Sequence, residues 1–454
     1  MNKDETNKMT VLLVATIASF LTPFMASSVN VALPVISKEL AANAILLSWI
    51  TTSFLLTSAM LSVPFGRIAD IYGMKKIFIL GIIIFTIATF LASLSPSVEF
   101  LIFARVLQGV GSAMIFVTGL AIITHVFPPN EVGKAIGINV SAVFIGLVMG
   151  PVLGGLLTQY LGWRSIFYLV APLGLLATIL VIVKLRGKEW AECKDEKLDK
   201  IGSLLYAFSL LLILAGFSQI TNMIGQIMLI LGIISLIGFV VWELKVDEPV
   251  LEMKLFLKNR KFAFSNLAAL ISFTGTFAVV FLLSLYLQYI KGMDPRGAGL
   301  VLATQTFVMA LISPLSGRLS DKYPSRILAS IGMAITTAGL IIFAFLNANT
   351  SIYLILLSLV LMGLGSGIFS TPNTHAVMNS VKRRYFGVAS ATISTMRIVG
   401  QTLSMGMVLV IFSIYVGAVQ FNPGNYPQLL TSINVMFTIS AILGFIAIFA
   451  SLSR

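Results

Sequence analysis

From residue 9 to residue 452 the chain is a succession of nearly uncharged stretches, each about as long as a bilayer is thick and separated by short polar breaks. A helix needs ~20 residues to cross ~30 Å of hydrocarbon. Only a helix or a closed barrel satisfies its own backbone hydrogen bonds there. Barrel segments are about ten residues long and alternate in polarity, whereas a run such as 430–452 is apolar throughout. The expected class is therefore all-α, a polytopic integral membrane protein with about fourteen transmembrane helices. A composition of 58% hydrophobic and 10% charged residues, with mean hydropathy +1.00, agrees, because a water-soluble core does not need so little charge.

The N-terminus, with Lys3 and Lys8 ahead of the first stretch, imitates a secretory leader. The stretch runs on to about Ile36 without a small-residue cleavage site, so it is read as a retained first span. The net charge of +13 raises the question of a nucleic-acid partner. If the N-terminus is cytoplasmic and each span changes sides, Lys38, Arg164, Lys291 and Arg296 fall outside and Arg105 and Arg397 fall within spans. Every other Lys and Arg lies on the inner side. This positive-inside asymmetry predicts a multi-pass protein of the cell membrane with both termini cytoplasmic, and it explains the basic charge without nucleic acid.

Enzyme classes find no support. The single cysteine, Cys193, lies in a charged inner loop, and the two histidines are His125 and His375, so neither a disulfide nor a metal cluster is expected. No paired carboxylate, nucleophile elbow or phosphate-binding loop stands out, and no cofactor is expected.

Charge clusters at 186–200 and 243–261 bracket two uncharged spans. They divide the chain into an N-terminal six-helix bundle (1–185), linkers with an inserted helix pair (186–261) and a C-terminal six-helix bundle (262–454). The halves echo each other: Gly66-Arg67-Ile68-Ala69-Asp70 follows the second span, and Gly317-Arg318-Leu319-Ser320-Asp321 follows the second span of the later half. Such a duplication suggests two bundles about a pseudo-twofold axis, an arrangement suited to alternating access.

Four motifs stand in order. The first is the loop Gly66-Arg67-Ile68-Ala69-Asp70-Ile71-Tyr72-Gly73-Met74-Lys75-Lys76. The second is Arg105-Val106-Leu107-Gln108-Gly109-Val110-Gly111 on the fourth span. The third is Gly137, Gly146, Gly150-Pro151 and Gly154-Gly155 on the fifth. The fourth is Tyr286-Leu287-Gln288, Gly292, Pro295 and Ala298-Gly299. Glycines allow tight turns and close helix approach, and a proline removes an N–H and bends a span. An arginine inside a span costs ~2.5–3.5 kcal/mol on insertion scales, so it needs a wet cavity or a partner. An alternative for Arg105 is to snorkel to the outer end beside Glu99.

Together these motifs resemble the major facilitator superfamily, in its fourteen-span drug/proton antiporter branch. The resemblance implies a secondary active transporter that exports small lipophilic or drug-like molecules, works as a monomer in the lipid bilayer and uses protons as the coupling ion. It implies gating loops at Gly66, Asp70, Gly73, Lys75 and Lys76, repeated at Gly317, Asp321 and Arg326. Asp70 would latch beside Lys382, Arg383 and Arg384; the alternative is that it merely ends a helix. Gly137 to Gly155 would form a helix that seals the cavity, walled by Met25, Asn30, Gln108, Gly109, Gln288 and Asn373 with Gln305 alongside.

The sequence also departs from that pattern. The branch usually carries an aspartate where this chain has Met25, in Phe24-Met25-Ala26-Ser27-Ser28-Val29-Asn30-Val31-Ala32-Leu33-Pro34. Ile71 and Met74 replace two arginines of the loop motif, and none of the 17 Asp and Glu falls near the middle of a span. Remaining coupling candidates are Asp70 and His375. Arg105 and Arg397 either orient an anionic group or hold helices through carbonyls. The competing functional expectation is an uncoupled or differently coupled facilitator or exporter of a small metabolite or anion.

Overall fold

The computed structural model describes residues 8–128, 131–184, 189–190, 196–320, 322–382 and 386–453. Lys3, Cys193, Asp321, Arg383 and Arg384, among the residues singled out above, lie outside the described residues. The helices are α1 (Lys8–Glu39), α2 (Ala44–Tyr72), α3 (Met74–Ser93), α4 (Val98–Val126), α5 (Val132–Leu161), α6 (Arg164–Lys184), α7 (Lys200–Ser218), α8 (Met223–Glu243), α9 (Met253–Lys258), α10 (Arg260–Thr276), α11 (Ala278–Leu285), α12 (Pro295–Ser320), α13 (Ser325–Ala344), α14 (Ile352–Met378), α15 (Phe386–Tyr415) and α16 (Tyr426–Leu452). Among the described residues there is no strand, and fourteen segments are long and apolar enough to cross a membrane. The face carrying Lys8 and Leu452 is termed inner and the opposite face outer.

Local chemistry sets the helix starts. Asn43 accepts the Leu46 N–H at 2.8 Å, Ser97 that of Phe100 at 3.3 Å and Asn259 that of Phe262 at 3.1 Å, each satisfying an amide that the first turn leaves unpaired. Gly73 turns the chain from α2 into α3 at φ 118°, a conformation that side chains oppose. The ninth span is built in three pieces, α10, α11 and a π-helical turn at Tyr286–Ile290. The charged stretch before it, read as a loop, contains the short helix α9.

The packing repeats. α1 packs on α5, α2 on α4, and α3 on both α4 and α6; in the later half α10 packs on α15, α12 on α14, and α13 on both α14 and α16. Between the halves α2 meets α15 and α5 meets α12, so second and fifth helices exchange roles. That reciprocity is what a pseudo-twofold axis requires. Close approaches recur too: a Cβ on Gly111 of α4 would stand 2.7 Å from the Gly81 carbonyl oxygen of α3, and one on Gly365 of α14 2.5 Å from that of Gly332 of α13. In lipid, where apolar surface gains little by leaving its solvent, backbone contact of this kind supplies the packing energy.

The inserted pair α7–α8 leans by α7 on α2 and α15 together, with the Tyr206 hydroxyl donating to the Ala59 carbonyl at 3.1 Å. The outward faces of α6 and α8 carry exposed Leu175, Ile179, Ile227, Ile230 and Ile234, as lipid contact demands.

Gly111→Leu drives a side chain into the Phe85 amide, 2.6 Å from the position of its Cβ, whereas a Cβ at Gly238 meets nothing within 4 Å. Overpacking costs about 1–3 kcal/mol. Gly111→Leu is therefore expected to lower the melting temperature of the detergent-purified protein by several degrees, and Gly238→Ala to leave it no lower.

Candidate translocation site

A cavity of about 140 Å³ lies between the two halves, bounded by α1, α5, α10, α11, α12, α14 and α15. Its polar groups are amides and hydroxyls: Asn30 on α1, Gln305 on α12, Gln401 on α15, and Ser27, Ser272, Thr276, Thr306, Ser366 and Ser370. Phe273, Phe277 and Phe369 supply flat apolar surface, and no charged residue lines the wall. Asn30 accepts the Thr51 hydroxyl at 2.8 Å, which fixes its amide orientation. Gln305 Oε1 is buried without a hydrogen-bond partner, an acceptor that a donor on a bound molecule would satisfy.

Toward the outer face the cavity is sealed. A Cβ on Gly155 would stand 2.5 Å from the Pro295 carbonyl oxygen, and the backbone of Pro151 presses on Gly299. Gly146, Gly150 and Gly154 on the same helix pack against Phe20, Ser27 and Ser28 of α1. Around this contact Gln288 Nε2 donates to the Val31 carbonyl at 2.8 Å, the Tyr289 hydroxyl to the Pro34 carbonyl at 3.4 Å, Arg296 to the Tyr160 hydroxyl at 3.0 Å and the Ala44 N–H to the Val419 carbonyl at 2.9 Å. All four bonds join the halves near outer helix ends.

Several expected wall residues stand elsewhere. Gln288 belongs to the seal, because the π turn swings it toward α1. Met25 is fully buried in the core cluster, and its neighbours Ala26 and Ser27 face the cavity instead. Arg105 neither snorkels nor faces the cavity. It is fully buried, donates from Nε to the Ile50 carbonyl at 3.1 Å and from Nη1 to Gln108 Oε1 at 2.5 Å, and lies 4.2 Å over the Phe54 ring. Gln108 passes the chain on to the Thr89 hydroxyl at 2.7 Å, and Gly109 lets α2 close on α4, so the motif ties α2, α3 and α4 together.

Asn373 is buried outside the wall. His375 sits near the inner end of α14 with Ser325 and Asn379 at its ring nitrogens. Gly137 faces open space, so it does not share the close-packing role of its motif partners. Arg397 lies 4.7 Å over the Phe116 ring, one helical turn, or about 6 Å, inward of Gln401. It thus links α15 to α4 inward of the cavity wall.

The loop 66–76 has a feature that no motif announced. Glu189 of the linker after α6 accepts the Lys75 and Lys76 N–H groups at 2.8 and 3.3 Å, capping α3 with a negative charge. The Met74 N–H donates to the Trp190 carbonyl at 2.8 Å, the Trp190 ring lies 5.6 Å from that of His125, and Arg67 pairs with Glu196. Asp70 is half-buried in the last turn of α2; Gly66 lies near Val117 of α4 and Gly317 near Thr371 of α14. Lys76 and Arg326 are exposed. A further crevice of about 360 Å³ opens at the outer ends of α2, α7 and α15 beside Trp49 and Asn222, to one side of the sealed pathway.

If the outer seal holds as described, Gln288→Leu removes one of its bonds, about 0.5–1.5 kcal/mol, and shifts the population outward by about 2- to 10-fold. In a Cys193→Ser background carrying Asn30→Cys, labelling by a membrane-impermeant maleimide from the outer side is expected to accelerate by that factor.

The Major Facilitator Superfamily model matches residues 15–404 and 265–453. The chain is 34% identical to the riboflavin transporter RibZ of Clostridioides difficile, over 86% of this chain and 85% of that protein. It is 30% identical to the multidrug resistance protein Stp of Mycobacterium tuberculosis (84% and 71% covered), and 28% identical to the tetracenomycin C resistance and export protein of Streptomyces glaucescens (86% and 73%). Among solved structures, an inward-facing, unoccupied bacterial homologue of the human lysosomal transporter Spinster superposes with a TM-score of 0.72 at 18% identity, covering 98% of this chain and 97% of that one. These matches concern transporters rather than enzymes, and the chain belongs to the Major Facilitator Superfamily as a multi-pass membrane transporter.

Proposed function

We propose that this chain is a secondary active exporter of small lipophilic or drug-like molecules, moved by alternating access in exchange for protons across the cell membrane, with both termini cytoplasmic and the halves 1–185 and 262–454 rocking about the inserted segment 186–261. The observation that carries this reading is the uncharged, phenylalanine- and amide-lined cavity at the twofold seam, sealed on the outer side. Binding sites for drug-sized molecules measure about 300–1,000 Å³, so a cavity of about 140 Å³ has to widen to take cargo. Rocking of two bundles provides that widening. Few hydrogen-bonding groups amid flat apolar surface suit amphipathic cargo and broad selectivity. Asp70 and Asp321, with Lys75, Lys76 and Arg326 beside them, serve as the inner gates.

One observation favours a second reading, facilitated movement of a small uncharged metabolite: no carboxylate lines the cavity and Met25 replaces the usual acid. The relative named as a riboflavin transporter gives that reading its first cargo to try.

Proteoliposomes separate the two. Under an imposed pH gradient, antiport drives uphill movement of a lipophilic dye, abolished when the gradient is collapsed. Riboflavin flux of equal rate with and without the gradient would instead support facilitation.

Asp70→Asn is expected to reduce transport at least tenfold while membrane insertion is unchanged; full activity would remove the gate role. Arg397→Ala is expected to alter the ranking of anionic, neutral and cationic cargo, and an unchanged ranking would mark Arg397 as a helix brace to Phe116.

A further inference from the structure

The inner ends of the inserted pair bring together two carboxylates that lie far apart in the sequence. Asp199 caps α7: its Oδ1 accepts the Gly202 N–H at 2.9 Å, and both oxygens accept the Trp242 indole N–H, at 3.1 and 2.9 Å. Glu243, the last residue of α8, is fully buried, and its Oε2 accepts the Leu251 N–H at 2.8 Å. Its other oxygen, Oε1, is buried with no hydrogen-bond partner. A Cβ on Gly202 would collide with both Asp199 Oδ2 and Glu243 Oε1, so these two oxygens converge over the one residue that leaves them room.

Among the described residues, no Lys, Arg or His nitrogen lies within 4.0 Å of either carboxylate. Lys200, Lys245 and Asp247 are exposed, Glu248 is engaged with the Lys197 N–H at 2.6 Å, and Arg67 on α2 pairs with Glu196. Leu251, held by Glu243, belongs to an apolar cluster with Ala59 and Val63 of α2, Phe239 of α8, Ile398 of α15 and the Tyr206 ring of α7, whose hydroxyl is bound to Ala59. Two ionised carboxylates repel in such a place, and an ionised oxygen without a donor is costly. A proton on one of them supplies the missing donor and makes a short charge-assisted O–H···O⁻ bond.

We propose that Asp199 and Glu243 form a proton-binding site, one proton being shared between Glu243 Oε1 and Asp199 Oδ2, and that its occupancy fastens the linker at Leu251 to the seam between the two halves. Leu251 packs in the cluster that joins α2, α7, α8 and α15. Loss of the proton places a second negative charge in the site. Glu243 relieves it by turning to water and gives up the Leu251 N–H. The site lies away from the cavity and is independent of the cargo.

The test is infrared difference spectroscopy of the purified full-length protein stepped from about pH 5 to about pH 9. The wild type is expected to lose a protonated-carboxyl C=O band near neutrality, and both Glu243→Gln and Asp199→Asn to lack that component. A wild type without the band, or Glu243→Gln retaining it, overturns the proposal, as does its displacement by sodium at constant pH. A second readout is thermal stability. A shared proton makes wild-type thermal stability fall as the pH rises from about 4.5, where the unfolded carboxyl loses its proton, to about 7, and level off above that. Glu243→Gln, whose amide mimics the protonated acid, is expected to abolish that fall, and an equal fall in the variant overturns the assignment.

Discussion

Two helices can meet backbone to backbone only where neither interposes a side chain, and the outer seal of this transporter depends on one such meeting. Gly155 and Gly299 allow α5 and α12 to touch, while Gly146, Gly150 and Gly154 hold the other face of α5 against α1. α5 is thus shared between its own bundle and the opposite one. Any displacement of α12 relative to α5 opens the cavity outward, and any that preserves the contact keeps it shut. The equivalent seam, α2 against α15, is overlaid by α7, so the inserted pair touches both halves on one side only. The extra spans therefore break the twofold symmetry that the core helices keep.

The fold was legible because fourteen runs of bilayer length admit little but a helical bundle, and the repeated Gly-Arg-x-x-Asp loops disclosed the duplication. Helix rotation was much less legible. A helix buried on all sides is apolar on all sides and carries no amphipathic stripe to say which residue looks inward. Met25 and Ala26 are adjacent and equally apolar, yet one is core and the other wall. Where small polar groups recur at one-turn spacing, as in Ser272 with Thr276 and Ser366 with Ser370, a stripe did exist and marks the cavity. Arg105 finds a carbonyl, a glutamine and a ring instead of water, and its Nη2 stays buried without a hydrogen-bond partner. The meeting of Asp199 with Glu243 depends on how α7 and α8 close on each other, which no local spacing encodes.

Charge has been removed from the cavity and placed at its rims. Glu189 and Glu196 bring a linker onto the basic loop 66–76, and Arg397 stands one turn below the wall. A charge within the cavity would bind one class of cargo tightly and would have to be desolvated in every cycle. At the rims, charges stay within reach of water while helix ends move, and their pairings can exchange between conformations without being stranded in lipid.

The strength of the outer seal then decides whether cargo can open it. Four hydrogen bonds join the halves there among the described residues. At about 0.5–1.5 kcal/mol net each, they contribute about 2–6 kcal/mol, since water replaces them when the seam parts. Reversing a two-state population from 1:99 to 99:1 takes about 5.5 kcal/mol of differential binding. The two figures are comparable. The glycine contacts add dispersion but no group that opening would leave unsatisfied, because all their atoms are backbone already paired within helices. A seal made of many salt bridges would exceed what a small apolar ligand can offset, and one of packing alone would leak. A few re-solvatable bonds around a bare backbone contact put the barrier in the range that modest ligands control.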